Sequence, residues 1–295
     1  MTNPSLFTRI SLGVLFCLAG ACGGSSSTVD PLGPDGGLPG TSSGGSGTGT
    51  EGPGGPRLTL ALRGGTAPVA HGDGFAGQTP SHQIVAIKSF WLYRSPTDPN
   101  PLKVLDLAKT VEADFIAEKA VDIGTVPFKS LTAGTYTFAK VGTAYVRYSV
   151  AARMHATVTA DGRYDNTQAL SDGAFIDGQT RAKGWYHFAF SVGGMTYGAL
   201  EGNDAPLPKV PMAGAIALET VGSESFYTFP TSVVIDPEQP LDQRWVMDVN
   251  VHESFRWQDQ AQAGYEAKVY DTTPTSFEPV MAFGANSFSL SLEGK

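Results

Sequence analysis

Hydrophobic and polar residues alternate along most of the chain after residue 56. In "RLTLAL" leucine occupies every second position, and in "GWYHFAFSV" Tyr, Phe, Phe and Val do the same. This period places the apolar side chains on one face of an extended strand. The same alternation recurs in "HQIVAIKSFWLYRS", "GTYTFAKVG", "AYVRYSV", "RWVMDVNVHESF" and "NSFSLSLEG". Short strands separated by Gly, Pro and Asp turns predict an all-β fold of one or more antiparallel β-sandwiches.

Two segments depart from this clear pattern. "LDLAKTVEADFIAEKAVDIG" contains Ala, Glu and Lys, which favour a helix, but its apolar residues from Val111 to Ala117 also alternate, and we interpret it as a strand. The segment 161–183 is rich in Asp and Gly and has few strand signals. It predicts a loop within one domain, or a segment between a β-sandwich at 57–160 and a second β-rich region at 184–295. Both arrangements stay open, because 239 residues suit one large domain or two ordinary ones.

The beginning of the chain predicts a signal peptide over residues 1–21. Arg9 supplies a positive charge, and the residues from Ile10 to Ala21 are almost all apolar or small. A run of about 12 residues has the length of a signal-peptide core and is shorter than the roughly 20 that a membrane-spanning helix needs.

The residues "LAGAC" at the end of this run resemble the bacterial lipobox, whose usual form is Leu-Ala-Gly/Ala-Cys. Leu18 stands one place early. The resemblance implies that Cys22 is the first mature residue, with diacylglycerol on its thiol and an acyl chain such as palmitate on its amine. Two or more chains give stable membrane anchoring. Gly23, rather than Asp, follows the cysteine, which in such lipoproteins implies the outer membrane without indicating which face.

Residues 22–56 are predicted to be a disordered linker between this anchor and the folded part. The segment consists mainly of Gly, Ser, Thr and Pro, so it cannot bury enough apolar surface to fold. Cys17 lies in the leader and Cys22 would carry lipid. The folded part therefore has no cysteine for a disulfide, a thiolate metal site or a nucleophile.

A short segment carries a second resemblance. "LTAGTYTFAKV", Leu131 to Val141, is similar to the "L-x-A-G-x-Y" segment of transthyretin-like and carboxypeptidase-regulatory-like β-sandwich domains, which are often found in bacterial surface lipoproteins. The similarity covers 11 residues. It implies a β-sandwich and a role that is mostly non-catalytic in those families.

Composition narrows the class of partner. The net charge is −8, and the part after residue 56 has 19 basic and 25 acidic residues without a Lys/Arg cluster. Nucleic-acid binding needs a concentrated cationic surface and is not expected. A charged fraction of 16% with 36 Gly and 20 Pro is typical of a turn-rich protein outside the cytoplasm.

Candidate chemistry is sparse. Asp248, Asn250 and His252 share the polar face of their strand, which we interpret as a solvated sheet face, with a ligand or acid–base site as the alternative. The five histidines are scattered along the chain, so no metal or other cofactor is expected. Weak calcium candidates lack the 12-residue loop pattern and are more typical of turns; they are Asp161, Asp165, Asp172 and Asp177.

Three aromatic or imidazole side chains are candidates for ligand contact. Trp185 and His187 face away from the apolar side of their strand, and Trp257 follows Arg256 near a strand end. We expect these side chains to be exposed, where tryptophan could stack on a sugar.

Together these features predict a lipid-anchored cell-envelope protein without catalytic activity. Its role would be structural or in binding a glycan or an envelope protein. The alternative is a membrane-tethered hydrolase that uses carboxylates such as Asp248 or Glu253.

Overall fold

The computed structural model describes residues 55–175, 177–212 and 216–293, so the predicted signal peptide, Cys22 and nearly all of the linker lie outside the described residues. The described residues contain β-strands, one 3₁₀ turn at Phe128–Ser130 and no α-helix, which confirms the all-β prediction. No helix in this part of the chain is long and apolar enough to cross a membrane. The strands are β1 (Arg57–Gly65), β2 (Ala76–Gln78), β3 (His82–Tyr93), β4 (Leu102–Asp114), β5 (Val121–Pro127), β6 (Gly134–His155), β7 (Thr159–Ala169), β8 (Gly173–Ala174), β9 (Thr180–Arg181), β10 (Tyr186–Val192), β11 (Met195–Gly202), β12 (Ala217–Val221), β13 (Glu224–Ile235), β14 (Gln243–Asn250), β15 (Phe255–Trp257), β16 (Asp271–Thr273), β17 (Ser276–Phe277), β18 (Val280–Ala282) and β19 (Ser287–Leu292).

The long strand β6 organises a large sheet of ten strands. One edge of β6 pairs with β13 over residues 134–143 and then with β7 over 145–155. The other edge pairs with β3 over 138–149 and then, in parallel, with β16 at 153–154. The strands β4, β10, β11, β12 and β17 extend the sheet outward from these four. Because β6 is bonded along both edges, its register fixes the positions of its neighbours.

A small sheet with the order β19-β14-β1-β5 packs against the large one. The strand β1 lies inside this sheet, parallel to β14 and antiparallel to β5. The parallel register places Leu60 beside Trp245 and Leu62 beside Met247, and all four side chains are buried. The alternation read from "RLTLAL" and "RWVMDV" therefore marks the inner face of the small sheet.

Aromatic rings join the two sheets. Phe288 on β19 stacks on Phe229 of β13 with ring centroids 5.1 Å apart, and it also lies 5.1 Å from the ring of Tyr227. Phe115, just after β4, meets the same ring edge-on at 6.1 Å. These pairs bury large apolar surfaces between the sheets and give the sandwich its core.

The strand interpretation of the ambiguous segment 105–124 is right at its two ends and wrong in its middle. Residues 102–114 form β4, which pairs with β3, and residues 121–127 form β5 in the small sheet, whereas residues 115–120 form the connection between these strands. The two alternating stretches "GTYTFAKVG" and "AYVRYSV" belong to one strand, because β6 continues through Gly142. A Cβ at Gly142 would lie 2.2 Å from Ser89 Oγ on β3. This glycine therefore permits close strand pairing instead of making a turn.

The prediction of a loop over 161–183 is wrong for its first half. The strand β7 runs to Ala169, although Asp161, Gly162 and Asp165 are poor strand formers. The carboxylate of Asp161 binds Arg153 across the strand pair at 2.6 Å. A Cβ at Gly162 would lie 2.4 Å from the carbonyl oxygen of Ser191. Cross-strand contacts thus override local propensity in this segment.

Strand pairs connect the two regions that the sequence left as one or two domains. β1 pairs with β14, β6 with β13 and β7 with β10. Each pair joins a strand before residue 170 to one after residue 184. The described residues on both sides of this segment group into one compact unit.

Adjacent glycines at the end of β1 give a test of this packing. A Cβ at Gly64 would lie 2.1 Å from the carbonyl oxygen of Phe115, whereas a Cβ at Gly65 would lie 3.8 Å from its nearest neighbour, Val249 O. We expect Gly64→Ala to lower the free energy of unfolding by about 3 kcal/mol or more, because backbone atoms must move. Gly65→Ala should change it by about 0.5 kcal/mol. Denaturant melts measure both values, and equal effects would contradict the packing described here.

Candidate functional site

Polar side chains meet where β14 ends, close to the loop that follows β1. The side chain of Asn250 makes three hydrogen bonds there. Its Nδ2 donates to Ala67 O at 2.8 Å. Its Oδ1 accepts from the His252 N–H at 3.1 Å and from Asn286 Nδ2 at 2.9 Å. Asn286 is fully buried and also donates to the His252 carbonyl oxygen at 2.7 Å. The turn after β14 is therefore fixed by amide hydrogen bonds and is not a freely solvated end.

His71 approaches this turn from the loop after β1. Its Nε2 lies 3.1 Å from the carbonyl oxygen of His252. Since a carbonyl can only accept, Nε2 carries the proton and Nδ1 of the neutral ring has a lone pair. This Nδ1 is buried and finds no hydrogen-bond partner among the described residues. Buried polar atoms are usually paired, so the orphaned nitrogen requires an explanation.

His71, His252 and Glu253 form a cluster, which we call the His–His–Glu cluster. One ligand-type atom from each residue lies within 4.8 Å of the other two, and all three residues are partly buried. Glu253 has a φ of +45°, in the left-handed region that residues other than glycine rarely adopt. Its N–H donates to Thr79 Oγ1 at 2.8 Å, which helps to hold this conformation. Such outliers concentrate at functional positions.

A buried arginine borders the cluster. Arg256 is 3% exposed and donates to Asp73 Oδ2 at 3.1 Å and to Phe75 O at 2.7 Å. Burial by itself would raise the pKa of Asp73, but the hydrogen bonds from Arg256 and from the Phe75 N–H outweigh burial and lower it. Asp73 therefore stays ionised and offsets the charge of Arg256. Arg256 Nη1 also donates to Glu253 Oε2, at the longer distance of 3.4 Å.

The structure divides the predicted polar stripe of β14. Asp248 accepts from Arg63 Nε at 2.6 Å in a half-exposed ion pair, as expected of a surface face. This pair lines a shallow depression of about 180 Å³. Asn250 and His252 belong instead to the hydrogen-bonded turn, so the interpretation of a wholly solvated stripe is wrong at those two positions.

Sequence reasoning missed His71 as a partner of His252. The view that the histidines are scattered is wrong for this pair, although 181 positions separate them. The pairing of β1 with β14 ends at Gly65 and Asn250, which brings the following loops together. Local sequence contains no signal for this, because both loops depend on a parallel strand pair between distant segments.

The predicted aromatic candidates have different surroundings. Trp257 is 1% exposed and packs edge-on against Tyr270 at 5.6 Å, so its predicted exposure is wrong. Trp185 is partly buried, with the Arg181 guanidinium 4.4 Å from its ring centre and Nε1 donating to Glu201 at 2.9 Å. His187 is also partly buried, and its registered partners are Glu201 and Thr167. None of these three offers a free stacking face of the kind predicted.

The four calcium candidates are each engaged by protein donors. Asp161 and Asp165 lie on β7, whereas Asp172 and Asp177 follow it. Asp172 accepts from the Lys183 N–H at 2.7 Å, and Asp177 accepts from Arg181 Nη2 at 2.8 Å. These contacts fit strand and turn roles.

A second histidine–carboxylate contact lies elsewhere. His155 Nε2 is 2.6 Å from Oδ1 of Asp271, which is fully buried and also accepts from the Glu266 N–H at 2.8 Å. Glu278 accepts from the backbone N–H groups of Asp271 and Gln260, yet burial raises its pKa above the ordinary value. The donors are mainly backbone groups of residues 260–271. The cluster therefore attaches that segment to His155 at the end of β6.

Comparison of the chain with protein families, curated proteins and solved structures found no match. The chemical interpretation of the His–His–Glu cluster therefore depends on its own donor atoms. Two imidazoles and a carboxylate are donor types that zinc and related divalent metals use.

Asp165 provides a test of the structural role given to β7. Burial raises its pKa, but hydrogen bonds from Ser149, Arg163 and Ser191 outweigh burial and lower it. The contribution of the carboxylate to stability is therefore present above the unfolded-state pKa of about 3.9 and lost as pH falls through the lower folded-state pKa. We expect Asp165→Asn to cost about 1 kcal/mol at pH 7 and less at pH 3. Denaturant melts at both values measure this, and a cost independent of pH would contradict it.

Proposed function

We propose that this is a lipid-anchored protein of the outer membrane whose β-sandwich has a non-catalytic, binding role in the cell envelope. The observation that carries the proposal is the order of parts along the chain. The lipobox-like "LAGAC" is followed by the Gly/Ser-rich segment, and the described strands begin at Arg57. The resemblance of Leu131 to Val141 to transthyretin-like domains supports the same role, because it implies a mostly non-catalytic sandwich.

The attachment point of the predicted linker is well defined. The Arg57 N–H donates to Asp242 Oδ1 at 2.7 Å, and the Pro56 carbonyl accepts from the Phe128 N–H at 3.0 Å. From Arg57 onward the chain is an interior strand of the small sheet. A domain joined in this way can extend from a membrane surface without using the linker in its core.

The described surface suits contact with a large partner. The depression beside Asp204 has a volume of about 260 Å³ and the one beside Asp248 about 180 Å³, so neither of these two reaches the roughly 300–1,000 Å³ of sites that enclose small molecules. Tyr186 and Phe188 are partly buried and stack with centroids 5.9 Å apart, and Phe277, 38% exposed, meets Phe188 edge-on at 5.3 Å. We call these three rings the aromatic patch. Its partly exposed rings favour an envelope glycan, since aromatic rings pack well against sugar faces.

Substitution of the cysteines tests the anchor. We expect Cys22→Ser to move the protein out of the membrane fraction or to stall removal of the leader, because the lipid attachment site is lost. Cys17→Ser is the matched control and should mature and sediment with membranes like the parent, since residue 17 would be removed. Fractionation and immunoblotting measure both. Normal maturation and sedimentation of Cys22→Ser would overturn the proposed anchor.

Binding to purified peptidoglycan sacculi tests the glycan partner. We expect Phe277→Ala to reduce the fraction that cosediments with sacculi about tenfold, because the patch loses a ring. Tyr197→Ala is the control, because Tyr197 is 56% exposed and belongs to β11 outside the patch. Equal cosedimentation of the two variants and the parent would exclude the patch as the binding surface.

A further inference from the structure

We propose that the His–His–Glu cluster is a binding site for a divalent transition metal of the zinc type. The proposal concerns residues 71, 252 and 253 and does not depend on the lipid anchor or on the aromatic patch.

The donor set is the first argument. Zinc sites with three protein ligands include the combination of two histidines and one carboxylate, and they leave a fourth position for water or another ligand. Two of the three donors in the cluster are imidazoles, which suit zinc, copper and nickel, whereas calcium and magnesium prefer oxygen alone. The chemistry of the cluster therefore selects transition metals over the alkaline earths.

The spacing of the donors is the second argument. Around zinc, bonds of about 2.0–2.2 Å place tetrahedral ligand atoms roughly 3.3–3.6 Å apart. The ligand-type atoms of the cluster lie within 4.8 Å of one another. Binding would therefore draw these atoms together by up to about 1.5 Å.

His71 already has the arrangement of a metal ligand. A metal-binding imidazole usually donates its other N–H to a carboxylate, a backbone carbonyl or water, which fixes its tautomer and ring orientation. His71 does this through Nε2, 3.1 Å from the His252 carbonyl oxygen. Its buried Nδ1 then presents a lone pair without a hydrogen-bond partner in the described residues. A metal ion would satisfy that atom.

The other two ligands lie on the fixed turn after β14. The Val69 N–H is 3.4 Å from His252 Nδ1, a weak hydrogen bond that a metal could replace at little cost. Glu253 follows directly, with its φ of +45° and its N–H held by Thr79. Arg256 lies near the carboxylate, but Asp73 offsets its charge. With neutral imidazoles the carboxylate of Glu253 leaves one net negative charge at the cluster, which favours a cation.

Calorimetric titration with zinc chloride tests the proposal on the full mature protein, purified in detergent and first stripped with chelator. We expect one tight equivalent of Zn²⁺ per chain and a melting temperature raised by about 5–10 °C at a hundredfold excess over the dissociation constant. Neither Ca²⁺ nor Mg²⁺ should reproduce this. His71→Ala should weaken Zn²⁺ binding at least tenfold, whereas His82→Ala should not, because His82 is an exposed histidine outside the cluster.

Glu253→Gly separates the loss of a ligand from the loss of the fold. Glycine accepts a positive φ without strain, so this variant should be at least as stable as the parent without metal, yet bind Zn²⁺ at least tenfold more weakly. Co²⁺ should give the strong visible bands of a tetrahedral site in the parent and not in this variant. Absence of tight Zn²⁺ binding by the parent, or equal affinity in His71→Ala, Glu253→Gly and His82→Ala, would overturn the proposal.

Discussion

Hydrogen bonding along both edges of β6 is the constraint on which the rest of the structure depends. A strand of 22 residues that is paired on each side leaves its neighbours little freedom of register. This constraint extends to the His–His–Glu cluster through one buried side chain. Gln83 lies on β3, the partner of β6, and its Oε1 accepts from Ser254 Oγ at 3.2 Å. Its Nε2 donates to Gly284 O at 2.9 Å. The turn that carries two of the candidate ligands is thus connected to the middle of the large sheet.

Charge is distributed unevenly around that turn. Arg256 is almost fully buried, and its guanidinium contacts both Asp73 and Glu253. Two carboxylates share one cation, so the surroundings keep a net negative charge while the cost of burying the arginine is offset. The hydrogen bonds fix the positions of the candidate ligands, and the net negative charge favours a cation over an anion. Neither property requires a deep cavity.

The strands β1, β10 and β14 could be predicted from sequence, because large apolar side chains at every second position indicate an extended strand wherever it lies. The alternation did not predict that both faces are buried in the middle of β1 and β14, where Ala61 and Val246 are also covered. β7 could not be predicted, because its Asp and Gly residues are stabilised by contacts with β6 and β10 that no local rule reveals. The residues of the candidate site were likewise only partly predictable from sequence. His252 and Glu253 were conspicuous on their strand, whereas His71 is brought to them by a parallel pairing between residues far apart in sequence. Trp257 was misplaced for a related reason, since its ring packs against Phe255 and Tyr270 and its strand β15 pairs with the distant strand β2.

The interior position of β1 has a mechanical consequence. A pull on the chain before Arg57 acts along the axis of a strand that is bonded on one side to β14 and on the other to β5. Both rows of hydrogen bonds then bear the load together in shear, whereas an edge strand pulled across its axis can open one bond at a time. Under the proposed anchoring at Cys22, a force that reaches Arg57 would have to break both rows of hydrogen bonds at once before it could pull β1 out of the small sheet.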